Sequence, residues 1–267
     1  MTTHDDQTDQ SDQISPSYEL EPTAPVPSLP GSVRVGEDIE ETLDMLAADL
    51  YLQSSSCVGE FGDFHLVLSH GSIQESLIIK MMIDPKYRSM PWSRTHVWSI
   101  GEQRVEPGNK LHSMTHWHEI LADAGSMPPE QFHHLPGHLP DADALYAKEL
   151  TEHLEWREKG HDRIDFVLLD HQSLYKGISN ACSDKLFEAC AESGGIWMHQ
   201  RCLDAARFIS VLGIGPAGRA LLKEIEHDHT KIPLTPIGGH LRWYLDGYAC
   251  QHTQDQYTNE ERPENTQ

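Results

Sequence analysis

Apolar residues along this chain follow two rhythms, and their alternation predicts the fold. Ile39, Leu43, Leu46 and Leu50 recur at helical spacing behind an acidic start, which predicts an opening helix. FHLVLS (64–69) reads as a strand, and GSIQESLIIKMMI (71–83) turns helical after it. THVWSI (95–100) is a second strand, running into the polar loop GEQRVEPGN, and LHSMTHWHEILAD (111–123) is a short helix. The Pro/Gly connection MPPEQFHHLPGHLPD leads to a helix that Asp141 can cap and that reaches about Trp156. IDFVLL (164–169) and RFISVLGI (207–214) are continuously apolar, as strands buried on both faces must be, and the helix RALLKEIE follows the second. Strands separated by helices predict an α/β domain with a mostly parallel sheet flanked by helices, a Rossmann-type three-layer arrangement. Ligands of such sheets sit beyond the carboxyl ends of the strands, so the chemistry is expected in the loops 69–74, 101–110 and 170–180.

Both ends of the chain lack either rhythm. Residues 1–35 carry Asp5, Asp6, Asp9, Asp12, Glu19, Glu21 and five prolines, and residues 253–267 read the same way. Both are expected to be disordered acidic tails around a single domain at 36–252. The charge sharpens this picture: 20 Lys and Arg stand against 42 Asp and Glu, a net −22. Such a surface repels nucleic acid and anionic lipid, so neither is expected as a partner. An anionic metabolite then needs a locally basic site or one built from backbone N–H groups. Five cysteines (57, 182, 190, 202, 250) form an odd set without C-x-x-C, which fits a reducing compartment and argues against a disulfide framework or zinc ribbon. With no apolar stretch like a signal peptide or membrane span, a cytoplasmic location is the default expectation. The oligomeric state is left at monomer or homodimer.

Four motifs bear on chemistry. In LVLSHGSIQESL a strand stops at Ser69, and Gly71-Ser72 opens a helix, placing backbone N–H groups and a hydroxyl where an anion could sit. Ordinary turn chemistry gives the same residues, and the absence of G-x-S-x-G excludes a serine-hydrolase elbow. In VWSIGEQRVEPGN a strand end delivers Glu102, Gln103 and Arg104, the last suited to a phosphate or carboxylate. GIGPAG places Gly213, Gly215 and Gly218 in the G-x-G-x-x-G spacing of a dinucleotide site. The following HDHTKIPLTPIGG offers no apolar strand ending in an acid, so a tight strand-to-helix turn is preferred. Of the 18 histidines, His112, His116 and His118 share a helix, and His133, His134 and His138 follow. Without H-E-x-x-H they read as scattered surface residues, and no metal and no cofactor are expected.

Taken together, the segments resemble the 6-phosphogluconolactonases, which share a superfamily with the glucosamine-6-phosphate isomerases/deaminases. Ser69-His70-Gly71-Ser72-Ile73-Gln74 stands where that family carries S-G-G-S-T-P. PWSRTHVWSIGEQRVEP, leading to Ser113-Met114, stands for P-W-S…D-E-R-x-V-P…S-N. Leu203-Asp204-Ala205-Ala206-Arg207 stands for L-N-A-A-R, and Ile232-Pro233 through Gly239 and LRWYLD (241–246) for the family's end. The resemblance implies opening of a six-membered sugar lactone by water, with the sugar's 6-phosphate held at a helix N-terminus and by cations. It implies phosphate and substrate contacts at Ser69, Gly71, Ser72 and Arg104. The family's phosphate-binding Lys aligns with Gly218, leaving Arg219 one position away. The catalytic L-L-G-x-G-x-D-G-H is absent, and the chain reads DHQSLYKGISNAC after the strand. Aligned without gaps, Lys176 takes the place of the catalytic His and Ser179 that of the family Ser. With a deletion, Asp170-His171-Gln172-Ser173-Leu174 takes that place instead. A divergent lactonase using His171 or Lys176 as base is therefore expected first. A sugar-phosphate binder or partner subunit without turnover comes second, and a dinucleotide binder through GIGPAG third.

Overall fold

The computed structural model describes residues 26–251 apart from residues 70, 107, 126, 177–183, 191–193, 229–231 and 233. A short strand, β1 (Ser32–Gly36), leads into the long helix α1 (Ile39–Phe61). Asp38 caps α1 by accepting from the Glu41 N–H at 2.9 Å, while the Glu41 carboxylate accepts from the Glu37 N–H at 2.6 Å. These two side-chain caps fix where the helix begins. Gly62, at φ 87°, ends it in the left-handed conformation. Then come β2 (Phe64–Leu68), α2 (Ser72–Ile83), β3 (Thr95–Ser99), β4 (Gly101–Gln103), α3 (Ser113–Gly125), β5 (Phe132–His133) and α4 (Ala142–Leu154). The second half holds β6 (Phe166–Asp170), α5 (His171–Lys176), β7 (Phe187–Ala189), β8 (Gly195–Met198), α6 (Gln200–Asp204), β9 (Phe208–Gly213), α7 (Gly215–His227), β10 (His240–Asp246) and α8 (Gly247–Cys250).

Seven strands form one parallel sheet in the order β1-β10-β9-β6-β2-β3-β5. The expected parallel α/β fold is thus present. From β2 the chain builds outward to β3 and β5 on one side. It then returns to build β6, β9 and β10 on the other. The order therefore switches between β2 and β6, the position at which parallel sheets leave a crevice at their carboxyl ends. Alternate residues of each strand face opposite layers. Phe64, Leu66 and Leu68 pack with Leu46, Leu50, Ile78 and Trp117 of α1, α2 and α3. Val67, Val167 and Val211 pack with Tyr146, Leu150, Leu221 and Ile225 of α4 and α7. A small antiparallel sheet, β4-β8-β7, adjoins the second layer.

Three expectations change. Residues 32–35, read as the end of a tail, lie in β1, because β10 would otherwise present an unpaired edge; the Trp243 indole N–H reaches back to the Pro30 carbonyl at 2.8 Å. Residues 101–103, read as loop, are β4, paired with β8. The histidines are not all surface residues. His65, His112 and His133 are buried, and His112 is held between the Leu135 carbonyl and the Glu102 carboxylate, at 3.2 Å from each.

At the amino end of β6 a buried charge network joins four segments. Arg157 grips both oxygens of Asp165 at 2.9 Å and also bonds Asp63. Asp165 in turn accepts from the His65 N–H at 2.8 Å. Burial opposes the charge on Asp63, but hydrogen bonds from His65 and Arg157 outweigh it and hold this carboxyl below its usual range. Replacing the cation would strand two carboxylates in a dry site. Arg157→Met is expected to cost about 3–5 kcal/mol of folding stability, read as a lowered urea midpoint. Loss of under about 1 kcal/mol would show that the network is solvated.

Candidate active site

At the switch point the carboxyl ends of β2, β6 and β9 surround a cavity of about 390 Å³. Gly71 and Ser72 form one wall, Asp170 and His171 the facing wall, and Leu212 and Ile214 an apolar floor. The pairing of β6 with β2 and β9 places these groups together, with Leu168 opposite Leu68 and Asp170 opposite Leu212. Sheet register, not local sequence, therefore makes the site.

α2 opens at this cavity without a side-chain cap; Gly71 is its N-cap in extended conformation. The N–H groups of its first turn have no acceptor within the helix, and they carry the positive end of its dipole. Across from them, Asp170 holds α5 in place. Its Oδ1 accepts from the Ser173 N–H at 2.8 Å and from the Ser173 hydroxyl at 2.6 Å. Its Oδ2 lies so close to Gly71 that a Cβ there would meet it at 2.8 Å. His171 follows directly, half-buried in the cavity wall, and its ring makes no hydrogen bond or ion pair with any described residue. The arrangement offers a proton acceptor, a neighbouring carboxylate and an anion cradle within one cavity.

The expected residues thus divide. Gly71, Ser72 and His171 come together. Ser69 is buried behind them, its hydroxyl accepting from the Gln74 amide. Lys176 ends α5, and its side chain lies outside the described residues, as does Ser179. Neither arginine lines the cavity. Arg104 is exposed, with a guanidinium N–H 3.5 Å from the Leu139 carbonyl. Arg219 donates to the Tyr248 carbonyl at 2.7 and 3.2 Å and stacks over the Tyr248 ring. Glu102 binds the Ser113 N–H at 2.7 Å and so caps α3.

The glycines of GIGPAG have structural tasks. Gly215 turns the chain at φ 60°, and a Cβ on Gly218 would lie 2.3 Å from the Gly213 carbonyl carbon. An apolar strand ending in an acid does follow, as β10 and Asp246. Both Asp246 oxygens accept from the Gly215 N–H at 3.0 Å, and one also accepts from the Ala249 N–H at 2.9 Å. A carboxylate of the protein itself occupies the donor that a pyrophosphate would need. Asp170 and Asp246 were not singled out from sequence as functional. Their shared signal is an acid ending an apolar strand, with a donor N–H three residues on.

Fold and cavity define an α/β protein of the parallel-sheet class with a cavity at the topological switch point. Residues 37–171, half of the chain, match the model for glucosamine-6-phosphate isomerases/6-phosphogluconolactonase, and the chain belongs to that family. It is 25% identical over 233 residues to the human GDH/6PGL endoplasmic bifunctional protein, an alignment covering 78% of this chain and 28% of that protein. The chain thus spans under a third of the length of this relative. The structure resembles that of devB protein, with 20% identity, a TM-score of 0.68, and coverage of 82% of this chain and 97% of that one. It also resembles 6-phosphogluconolactonase from Thermotoga maritima, with 17% identity, a TM-score of 0.61, and coverage of 80% and 99%. No described helix is long and apolar enough to cross a membrane.

The contact between Gly71 and Asp170 leads to a direct expectation. Gly71→Ala pushes the carboxylate away and costs about 1–3 kcal/mol, measured by urea denaturation. In an Asp170→Ala background the same change costs much less, because the clash is gone. Equal costs in both backgrounds would show that the two residues are independent.

Proposed function

We propose that the chain is a 6-phosphogluconolactonase-type hydrolase that opens 6-phospho-D-glucono-1,5-lactone to 6-phosphogluconate. The observation that supports this reading is the shared cavity of His171 and the uncapped start of α2. Family membership and the relatives named for this activity support it as well.

In this reading the first-turn N–H groups of α2 hold the 6-phosphate, as helix N-termini hold anions generally. Arg104 and Arg219 are engaged elsewhere, so backbone donors carry the anchoring. His171 takes a proton from water as the water oxygen attacks C1, and the neighbouring Asp170 carboxylate stabilises the imidazolium that forms. The C1–ring oxygen bond then breaks, His171 returns that proton to the ring oxygen, and the carboxylic acid formed at C1 releases the water's second proton to solvent to give the carboxylate. General-base assistance of this kind supplies about 10²–10⁴-fold, which suits a lactone that already opens slowly unaided. Lys176 stands as the second candidate base. The free thiols of Cys57 and Cys202 support placing the protein in the cytoplasm.

The test is hydrolysis of freshly generated lactone, coupled to oxidation of 6-phosphogluconate, with spontaneous opening subtracted. Turnover is expected in the parent chain. It should fall about 10²–10⁴-fold in His171→Ala and change little in Lys176→Ala. The reverse pattern would move the base to Lys176. A folded protein stabilised by 6-phosphogluconate but without turnover would favour the binding-only reading.

A further inference from the structure

At the other end of the sheet four imidazoles gather under α4. His65 and His96 stand side by side near the starts of β2 and β3, His133 ends β5, and His153 projects from the last turn of α4. Their hydrogen bonds assign the ring protons. The Nδ1 of His65 accepts from the Trp98 indole N–H at 3.0 Å, so its proton sits on Nε2, 3.3 Å from Asp63 Oδ2. His65 therefore has no lone pair to offer. His133 is oriented the other way. Its Nδ1 is 2.6 Å from Glu149 Oε1 and must carry the proton, which leaves Nε2 bare. That bare nitrogen lies 2.9 Å from His96 Nδ1.

Three rings from three elements thus face one point. The ligand atoms of His96, His133 and His153 all lie within 4.8 Å of one another. Their ring centroids are 5.2, 5.1 and 4.5 Å apart. Three imidazoles on one tetrahedral ion, with metal–nitrogen bonds of about 2.0–2.1 Å, place their ring centroids about 5 Å apart and their nitrogens about 3.3 Å apart. Plain packing would account for stacked rings, but not for this convergence backed by a carboxylate. Glu149 on the far nitrogen of His133 is the outer-shell partner that metal-binding histidines ordinarily have.

We propose that His96, His133 and His153 form a site for a divalent transition-metal ion of the zinc class. The ion replaces the hydrogen bond between His96 and His133. His96 shifts its proton from Nδ1 to Nε2 and stays neutral, so none is lost. Imidazole donors favour zinc, copper or nickel over magnesium or calcium. Water takes the fourth position, reached past the half-buried His153. The ion would tie the two-residue edge strand β5 and the end of α4 to β3, far from the cavity at the carboxyl ends. The strongly negative surface concentrates cations around the chain, which favours loading.

The experiment uses the full untagged chain, stripped with chelator and titrated with Co²⁺, whose visible bands report tetrahedral nitrogen ligation. One equivalent is expected to give such bands, Zn²⁺ to displace them, and Zn²⁺ to raise the melting temperature. His153→Ala, at a half-buried helix end and checked for native circular dichroism, should lose both the bands and the shift. His171→Ala should keep both. Absence of stoichiometric binding would overturn the proposal. So would bands that survive His153→Ala, or that vanish in His171→Ala, since either places the ion elsewhere.

Discussion

The carboxylate of Asp170 is the constraint on which the cavity depends. One oxygen is spent on Ser173 and fixes the start of α5, while the other lies against Gly71 with no room for a methyl group. The first contact sets where His171 stands. The second sets how close α2 comes to it. A larger residue at position 71, or a neutral one at position 170, would open the gap between the proton acceptor and the anion cradle. The negative charge of Asp170 also favours a cationic imidazolium on the adjacent His171.

The same economy of carboxylates recurs at other helix starts, Asp38 closing that of α1. Asp246 closes the start of α7, and Glu102 closes the start of α3. In a chain with 42 acidic residues, helix N-termini are readily filled from within. α2 differs from these: its N-cap is glycine and no side chain completes it. Its first turn, unlike those of α3 and α7, is left without a carboxylate acceptor from within the chain. That contrast, more than the bare presence of a helix terminus, favours α2 over the GIGPAG turn as the phosphate site. The two ends of the sheet accordingly differ, with the cavity and the start of α2 at the carboxyl ends and the histidine cluster toward the amino ends.

The fold was largely legible in the sequence because parallel strands must be apolar throughout. FHLVL, FVLLD and FISVLG are strands for that reason, and the helices between them keep their own period. β1 was lost in the prolines around it, since its role as an edge partner for β10 comes from distant residues. The site was legible only in part. Gly71, Ser72 and His171 follow strand ends, which sequence can locate. Whether Arg104 and Arg219 reach the same cavity depends on three-dimensional placement, and both turn to backbone carbonyls instead. The cluster of His96, His133 and His153 was illegible for the same reason: its members lie 37 and 20 positions apart and meet through strand register and helix packing.

The most direct measurement is a crystal structure of the protein with bound 6-phosphogluconate. The expectation is a phosphate within hydrogen-bond reach of the Ser72 and Ile73 backbone N–H groups, with the C1 carboxylate beside His171. A ligand seated with its phosphate on Arg104 or Arg219, or lodged in the more apolar cavity between Leu150 and Cys202, would contradict it.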